Sequence, residues 1–286
     1  QFTNVVKITE GASFFMNGGD ISNNTLEHGG SSGLNAAVGV EGIKGNSTME
    51  MTGGTITGNT AEYGGILVGT YSLNYTRSEN WSNPAYLYST GTLKLNGGTI
   101  SNNTAATLGG GIAVNGTGKL IMDGGTISGN KAPFGGGIGV NDYLTSTDRG
   151  NSPEARWRSF FPAAATINGG LITGNEATMT AVTSQISDPN AENGVGGGLY
   201  VASMEVYVNG GQFTNNTAGK QGGGIYVASV PYVLKMGKTL VTENTATKIG
   251  GGLWLCPTGS ATTAVTNGAS FFDNVAGTGA DNNDTS

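Results

Sequence analysis

An all-β chain wound as a parallel β-solenoid is what this sequence predicts, on three observations. One glycine-rich sentence recurs, as "LNGGTISNNTAATLGGGIAV" (95–114), "MDGGTISGNKAPFGGGIGV" (122–140) and "VNGGQFTNNTAGKQGGGIYV" (208–227). Its apolar runs are short and alternate strictly, as in Leu93-Lys94-Leu95, Leu120-Ile121-Met122 and Ile112-Ala113-Val114. Its uninterrupted spacings are 27 (Ile100 to Ile127), 28 (Phe213 to Val241) and 30 (Val241 to Phe271). A helical repeat needs apolar residues at i, i+3, i+4 and i+7 without interruption, and glycine pairs and triplets cut every such run. Short alternating strands between glycine turns, three to a repeat, describe one coil of a solenoid. Leucine-rich repeats share the length but not the leucine spacing.

Each element follows from its residues. The apolar position after the glycine pair is Ile21, Ile56, Ile100, Ile127, Ile172, Phe213, Val241 and Phe271. These side chains are expected to point inward and stack into a core that no single coil could bury alone. Three residues later stands an asparagine in every copy: Asn24, Asn59, Asn103, Asn130, Asn175, Asn216, Asn244 and Asn274. Asparagine tolerates a left-handed turn and satisfies backbone groups at bends; recurring once per coil, its amides are expected to form a hydrogen-bonded ladder. A second word, Gly-Gly-Ile/Leu-x-Val/Leu, places Ile66, Ile112, Ile138, Leu199, Ile225 and Leu253 on another strand. The glycines allow positive φ at corners and close approach between coils.

Composition narrows the function. The 286 residues include 52 glycines, 36% are hydrophobic and 11% are charged, with net charge −6. Repetition, rather than disorder, accounts for the glycine content. A pI near 4.8 disfavours a phosphate-binding face, so nucleic acid is a poor partner. Cys256 is the only cysteine, which excludes an internal disulfide and a cysteine-built zinc site. No apolar run reaches the roughly 20 residues of a membrane span. The opening at Gln1 reads as a processed or excised segment. Abundant Thr, Asn and Gly with few Lys and Glu suit an extracellular, cell-surface or secreted protein.

The words resemble a known repeat class. Phe213-Thr-Asn-Asn216, Phe271-Phe-Asp-Asn274 and Phe14-Phe-Met-Asn17 are similar to the FxxN motif of chlamydial polymorphic outer-membrane protein repeats. Gly-Gly-Ile and Gly-Gly-Leu at 64–66, 110–112, 136–138, 197–199, 223–225 and 251–253 resemble their GGA[ILV] motif, with glycine for alanine or the motif shortened. The same vocabulary occurs in adhesin-like surface proteins of other bacteria and archaea. The resemblance covers nearly the whole chain and implies a right-handed β-helix that mediates attachment: here one domain, 1–286, of about eight coils. No β-barrel translocator is visible in these residues.

Three insertions interrupt the period, at 69–91, 141–162 and 178–195. The first two follow equivalent strands two rungs apart. At roughly 4.8 Å per rung their bases lie about 10 Å from each other, so the loops are expected to touch. They carry the candidate binding residues Tyr71, Tyr75, Trp81, Tyr86, Tyr143, Arg149, Arg156 and Trp157. Aromatic faces with arginine forks suit glycan or protein recognition; mutual packing that holds the loops in place is the plainer alternative.

Catalytic readings are weaker. Asp142, Asp148 and Glu154 share a loop with Arg149 and Arg156, and a solvated, salt-bridged loop explains them. Asp20 and Asp123 do not recur in neighbouring coils, and His28 sits in an apparent turn. The tail acids Asp281 and Asp284 lack the ligand series of a calcium loop. Thr55-Ile-Thr57, Thr99-Ile-Ser101 and Thr126-Ile-Ser128 face hydroxyls outward, an ice-binding pattern broken by Leu171, Gln212, Leu240 and Phe272. No cofactor, metal or catalytic residue is expected. The expected role is an adhesin or structural-fibre module whose partner is a protein or glycan of a host or neighbouring cell. A polysaccharide-binding or polysaccharide-degrading β-helix is the alternative. The echo of "ITEGASFFMN" (8–17) in "VTNGASFFDN" (265–274) raises head-to-tail self-association.

Overall fold

The computed structural model describes residues 4–27, 35–42, 45–69, 89–142, 163–180, 193–229, 232–263 and 266–277. Among them there is no helix, and the strands form three parallel sheets of eight, fourteen and seven strands. Successive neighbours in each sheet come from successive repeats, an arrangement compatible with a β-solenoid. The eight-stranded sheet takes the Gly-Gly-Ile/Leu words, among them Ile66–Val68, Ile112–Asn115, Ile138–Asn141 and Leu199–Ala202. The seven-stranded sheet takes two-residue strands just past the asparagines, such as Thr104–Ala105 and Lys131–Ala132. The fourteen-stranded sheet takes both the run before the glycine pair and the run after it, as in Lys119–Met122 and Thr126–Ser128.

Register carries the core. Ile56, Ile100, Ile127, Ile172, Phe213 and Val241 pair in sequence along the fourteen-stranded sheet, and all six are fully buried. Met49, Leu93 and Leu120 make a parallel column beside them. Removing each such side chain from water contributes about 1.5–3 kcal/mol. The columns stay closed only while a rung lies on both sides: Phe14 and Ile21 in the first repeat, and Leu253 and Phe271 in the last, are only partly buried.

Two features depart from the sequence expectations. The interior strands of the eight-stranded sheet are buried on both faces rather than one. Their outward residues Leu67, Ala113, Tyr200 and Tyr226 join Tyr63, Leu108, Phe134 and Val195 in a second apolar cluster. Phe134 meets Tyr200 edge-on, with ring centroids 5.4 Å apart, and Tyr200 stacks on Tyr226 at 5.7 Å. The chain can fold back over that face because Gly109 adopts φ 62°, where a Cβ would stand 2.2 Å from the Ile112 carbonyl oxygen.

The second departure is the echo between "ITEGASFFMN" and "VTNGASFFDN". Phe14 pairs with Met49, in the column before the glycine pair, whereas Phe271 pairs with Val241, in the column after it. The two segments are alike in letters and different in place. Phe14-Phe-Met-Asn17 therefore does not occupy the position of Phe213-Thr-Asn-Asn216; in the first repeat that position belongs to Ile21, which pairs with Ile56.

Candidate functional site

Two polar systems run along the stack. The inner one is built from the recurring asparagines, most of them fully buried. Asn130 is representative. Its Nδ2 donates to Asn175 Oδ1 and to the Ile100 carbonyl, both at 3.0 Å. Its Oδ1 accepts from the Asn103 backbone N–H and from Asn103 Nδ2, both at 3.0 Å. The same side-chain link joins Asn24 to Asn59, Asn59 to Asn103, Asn175 to Asn216, Asn216 to Asn244 and Asn244 to Asn274. Each interior amide, from Asn59 to Asn244, thus spends its donors and acceptor within three successive rungs.

The left-handed residue is not this asparagine but the one before it. Asn23, Asn102, Asn215, Glu243 and Asp273 take φ between 52° and 56°, and Gly58, Gly129 and Gly174 take 62° to 66°. The corner therefore divides two tasks between adjacent residues, one for turning and one for bonding.

The outer system is exposed. Asn168 Nδ2 donates to Asp123 Oδ1 at 2.7 Å, and Asn209 Nδ2 to Asn168 Oδ1 at 2.9 Å. Asn168, Asn209 and Lys238 rim an open groove of about 560 Å³ floored by glycine pairs. The outward hydroxyls also pair along the stack, Thr57 with Ser101 and Thr214 with Thr173, each at 3.0 Å. This explains Asp123 as a member of a polar row.

The insertions leave from one edge. Val68, Val114 and Val140 are register neighbours in the eight-stranded sheet, so the roots of the first two insertions are two rungs apart. The chain returns at Ser89, whose carbonyl accepts from Thr117 Oγ1 at 3.2 Å, and at Ala163. Tyr71, Tyr75, Trp81, Tyr86, Tyr143, Arg149, Arg156 and Trp157 lie outside the described residues, as do His28, Asp148, Glu154, Asp281 and Asp284. The neck of the third insertion is tied by Asn193 Nδ2, which donates to the carbonyls of Met179 at 2.9 Å and Thr180 at 2.8 Å.

Acids at this edge are buried, against the solvated reading. Asp142 is 2% exposed, and neither carboxylate oxygen has a hydrogen-bond partner of ordinary geometry. Burial pushes its carboxyl up from 3.8 to about 7; the Ser203 hydroxyl and the amides of Met204 and Ala163 oppose this, and the charge of Glu205 adds to it. Glu41, directly after the strand Val38–Val40, is buried against Lys7 at 3.1 Å; at the opposite end, ahead of Ile66–Val68, Glu62 is also buried and accepts from Thr107 Oγ1. The sequence places Asp142 in a solvated loop and does not single out Glu41 or Glu62, because burial depends on which face the next repeat covers.

Among the described residues no group of three His, Cys, Asp or Glu is placed to hold a metal ion, and no helix is long and apolar enough to cross a membrane. No protein-family model, curated protein or solved structure matches the chain.

Proposed function

We propose that this chain is a non-enzymatic extracellular module of a cell-surface adhesin or structural fibre. It forms one right-handed parallel β-helix of about eight coils, similar to the adhesin repeats its motifs resemble, and displays its aromatic insertions from a rigid flank. The partner is a protein or glycan on a neighbouring cell or host surface. The observation that carries this reading is the common root: Val68 and Val140 sit in the same column with only Val114 between them. At about 4.8 Å per rung, the bases of 69–91 and 141–162 lie about 10 Å apart. Rings and arginines from two loops can then act on one ligand, on a frame whose backbone groups are already ordered, which lowers the entropy cost of binding.

The polysaccharide-binding or polysaccharide-degrading alternative would use the loop 141–162 with Asp142, Asp148 and Glu154, of which Asp148 and Glu154 lie outside the described residues. The two oxygens of Asp142 are buried, which disfavours Asp142 itself as the acid or base acting on a glycosidic bond. Glycan and cell-binding arrays test the main reading. Binding without turnover, lost on Trp81→Ala or Trp157→Ala, is the expected result. Turnover of an acidic polysaccharide abolished by Arg156→Ala would replace the adhesin with an enzyme.

A further inference from the structure

Asp142 stands where the strand Ile138–Asn141 ends and the second insertion begins. Its N–H donates to the Ala202 carbonyl at 2.9 Å, which fixes the backbone to the following repeat. Across that junction Ser203 is fully buried, donates from Oγ to the Ala163 carbonyl at 2.5 Å and accepts from the Glu205 N–H at 3.1 Å. The returning chain at Ala163 and the corner of the next repeat thus close around the carboxyl, with the Ser203 hydroxyl and the Met204 and Ala163 amides near it but in no hydrogen bond of ordinary geometry. Asn141 pairs with Ala202 in register, so Ser203 is the equivalent of Asp142 one repeat on, and Ser229 the equivalent after that. Along the sheet the same position is Gly116 one repeat before and Ser203 and Ser229 in the two repeats after, so Asp142 is the one carboxyl among these four.

We propose that the corner formed by Asp142, Ala163 and Ser203 is a proton-linked clasp: neutral Asp142 keeps it shut against the next repeat, and ionised Asp142 loosens it. The proposal rests on reading 141–162 as a displayed recognition loop, whose root this corner is. Three elements pack around the carboxyl. Its own strand contributes Asn141, whose Nδ2 donates to Asn115 Oδ1 of the preceding repeat at 3.2 Å. The following repeat contributes Glu205, a like charge whose Oε2 accepts from Tyr207 OH at 3.1 Å. The returning strand Ala164–Ile167 carries no titratable group; its register partner Lys119 is exposed.

The sign follows from which form the folded corner prefers. Burial favours the proton-bound acid, so the proton-linked stabilisation is fully present below the ordinary 3.8. It is lost as pH rises through about 7. Between pH 6 and pH 8 the carboxyl passes from mostly proton-bound to mostly ionised, and the closed corner loses stability over that interval.

Amide hydrogen exchange on the full chain tests this without any ligand, so its outcome is separate from that of the recognition reading. Protection factors, corrected for the intrinsic pH dependence of exchange, are read at pH 6 and pH 8 for 138–142 and 163–167. The wild type is expected to lose protection by about tenfold, the most that a carboxyl with a folded pKa of about 7 can contribute between these two pH values. Asp142→Asn, and Asp142→Ser with the residue found at the next two corners, are expected to keep the same protection at both pH values. Equal protection of the wild type at pH 6 and pH 8, or a fall in either variant matching the wild type's, overturns the proposal. The wild-type comparison is decisive even where a variant fails to fold.

Discussion

Asn130 Nδ2 donates to Asn175 Oδ1 at 3.0 Å although 45 residues separate the two, the whole second insertion among them. The contact survives because the insertion leaves and rejoins the stack without displacing the corner. In Asn130→Asp the side chain can no longer donate to Asn175 or to the Ile100 carbonyl, and a charge is placed among buried acceptors. Each buried group left unpaired costs about 1–3 kcal/mol. Chemical denaturation at pH 7 is expected to show a loss of about 3 kcal/mol or more; Asn24→Asp, on a half-buried rung, is expected to lose less.

Equivalent glycines make a matched pair. A Cβ at Gly53 would lie 2.6 Å from the Asn17 carbonyl oxygen, whereas one at Gly18, the same position a repeat earlier, meets nothing within 4 Å. Gly53→Ala is expected to lower the melting temperature by several degrees, corresponding to about 1–3 kcal/mol of strain. Gly18→Ala is expected to leave it unchanged or slightly raised. Differential scanning calorimetry of both variants reads the contrast.

Glu243 occupies the turning position with φ 56°, where three other repeats use glycine and three use asparagine. A left-handed conformation costs a residue with a long side chain about 1–2 kcal/mol. Glu243→Gly is expected to be stabilising, despite the loss of the 3.0 Å hydrogen bond from Asn215 Nδ2, which is exposed. A lower urea midpoint for the variant would contradict that assignment of strain.

The outer cluster predicts a cost where a one-sided sheet predicts none. Tyr200 is fully buried between Phe134 and Tyr226 on the outward face of the eight-stranded sheet. Tyr200→Ala is expected to destabilise by about 3–5 kcal/mol, as truncation of a buried aromatic does. Lys94→Ala, on the exposed outward face of the fourteen-stranded sheet, is expected to fall within about 0.5 kcal/mol of the parent.

What repeats at a fixed interval was readable from the letters alone. Ile100, Ile127 and Ile172 pair in register, and Asn103, Asn130 and Asn175 are linked amide to amide, because a periodic chain makes each repeat the neighbour of the next. What occurs once, or depends on the path between repeats, was decided by tertiary structure. Phe14 resembles Phe271 in its local word and stands in another column, since column is set by distance from the glycine turn. Tyr200 and Phe134 meet because the segment before each glycine run doubles back over the sheet, a path no short pattern encodes. Asp142 sits in a polar, arginine-containing stretch and is nonetheless sealed in, because the covering atoms include Ala163 and Ser203, contributed from beyond the insertion. Periodicity specifies which residues lie above and below one another; burial and charge state also depend on what lies to the side, and that is settled only when the whole stack has formed.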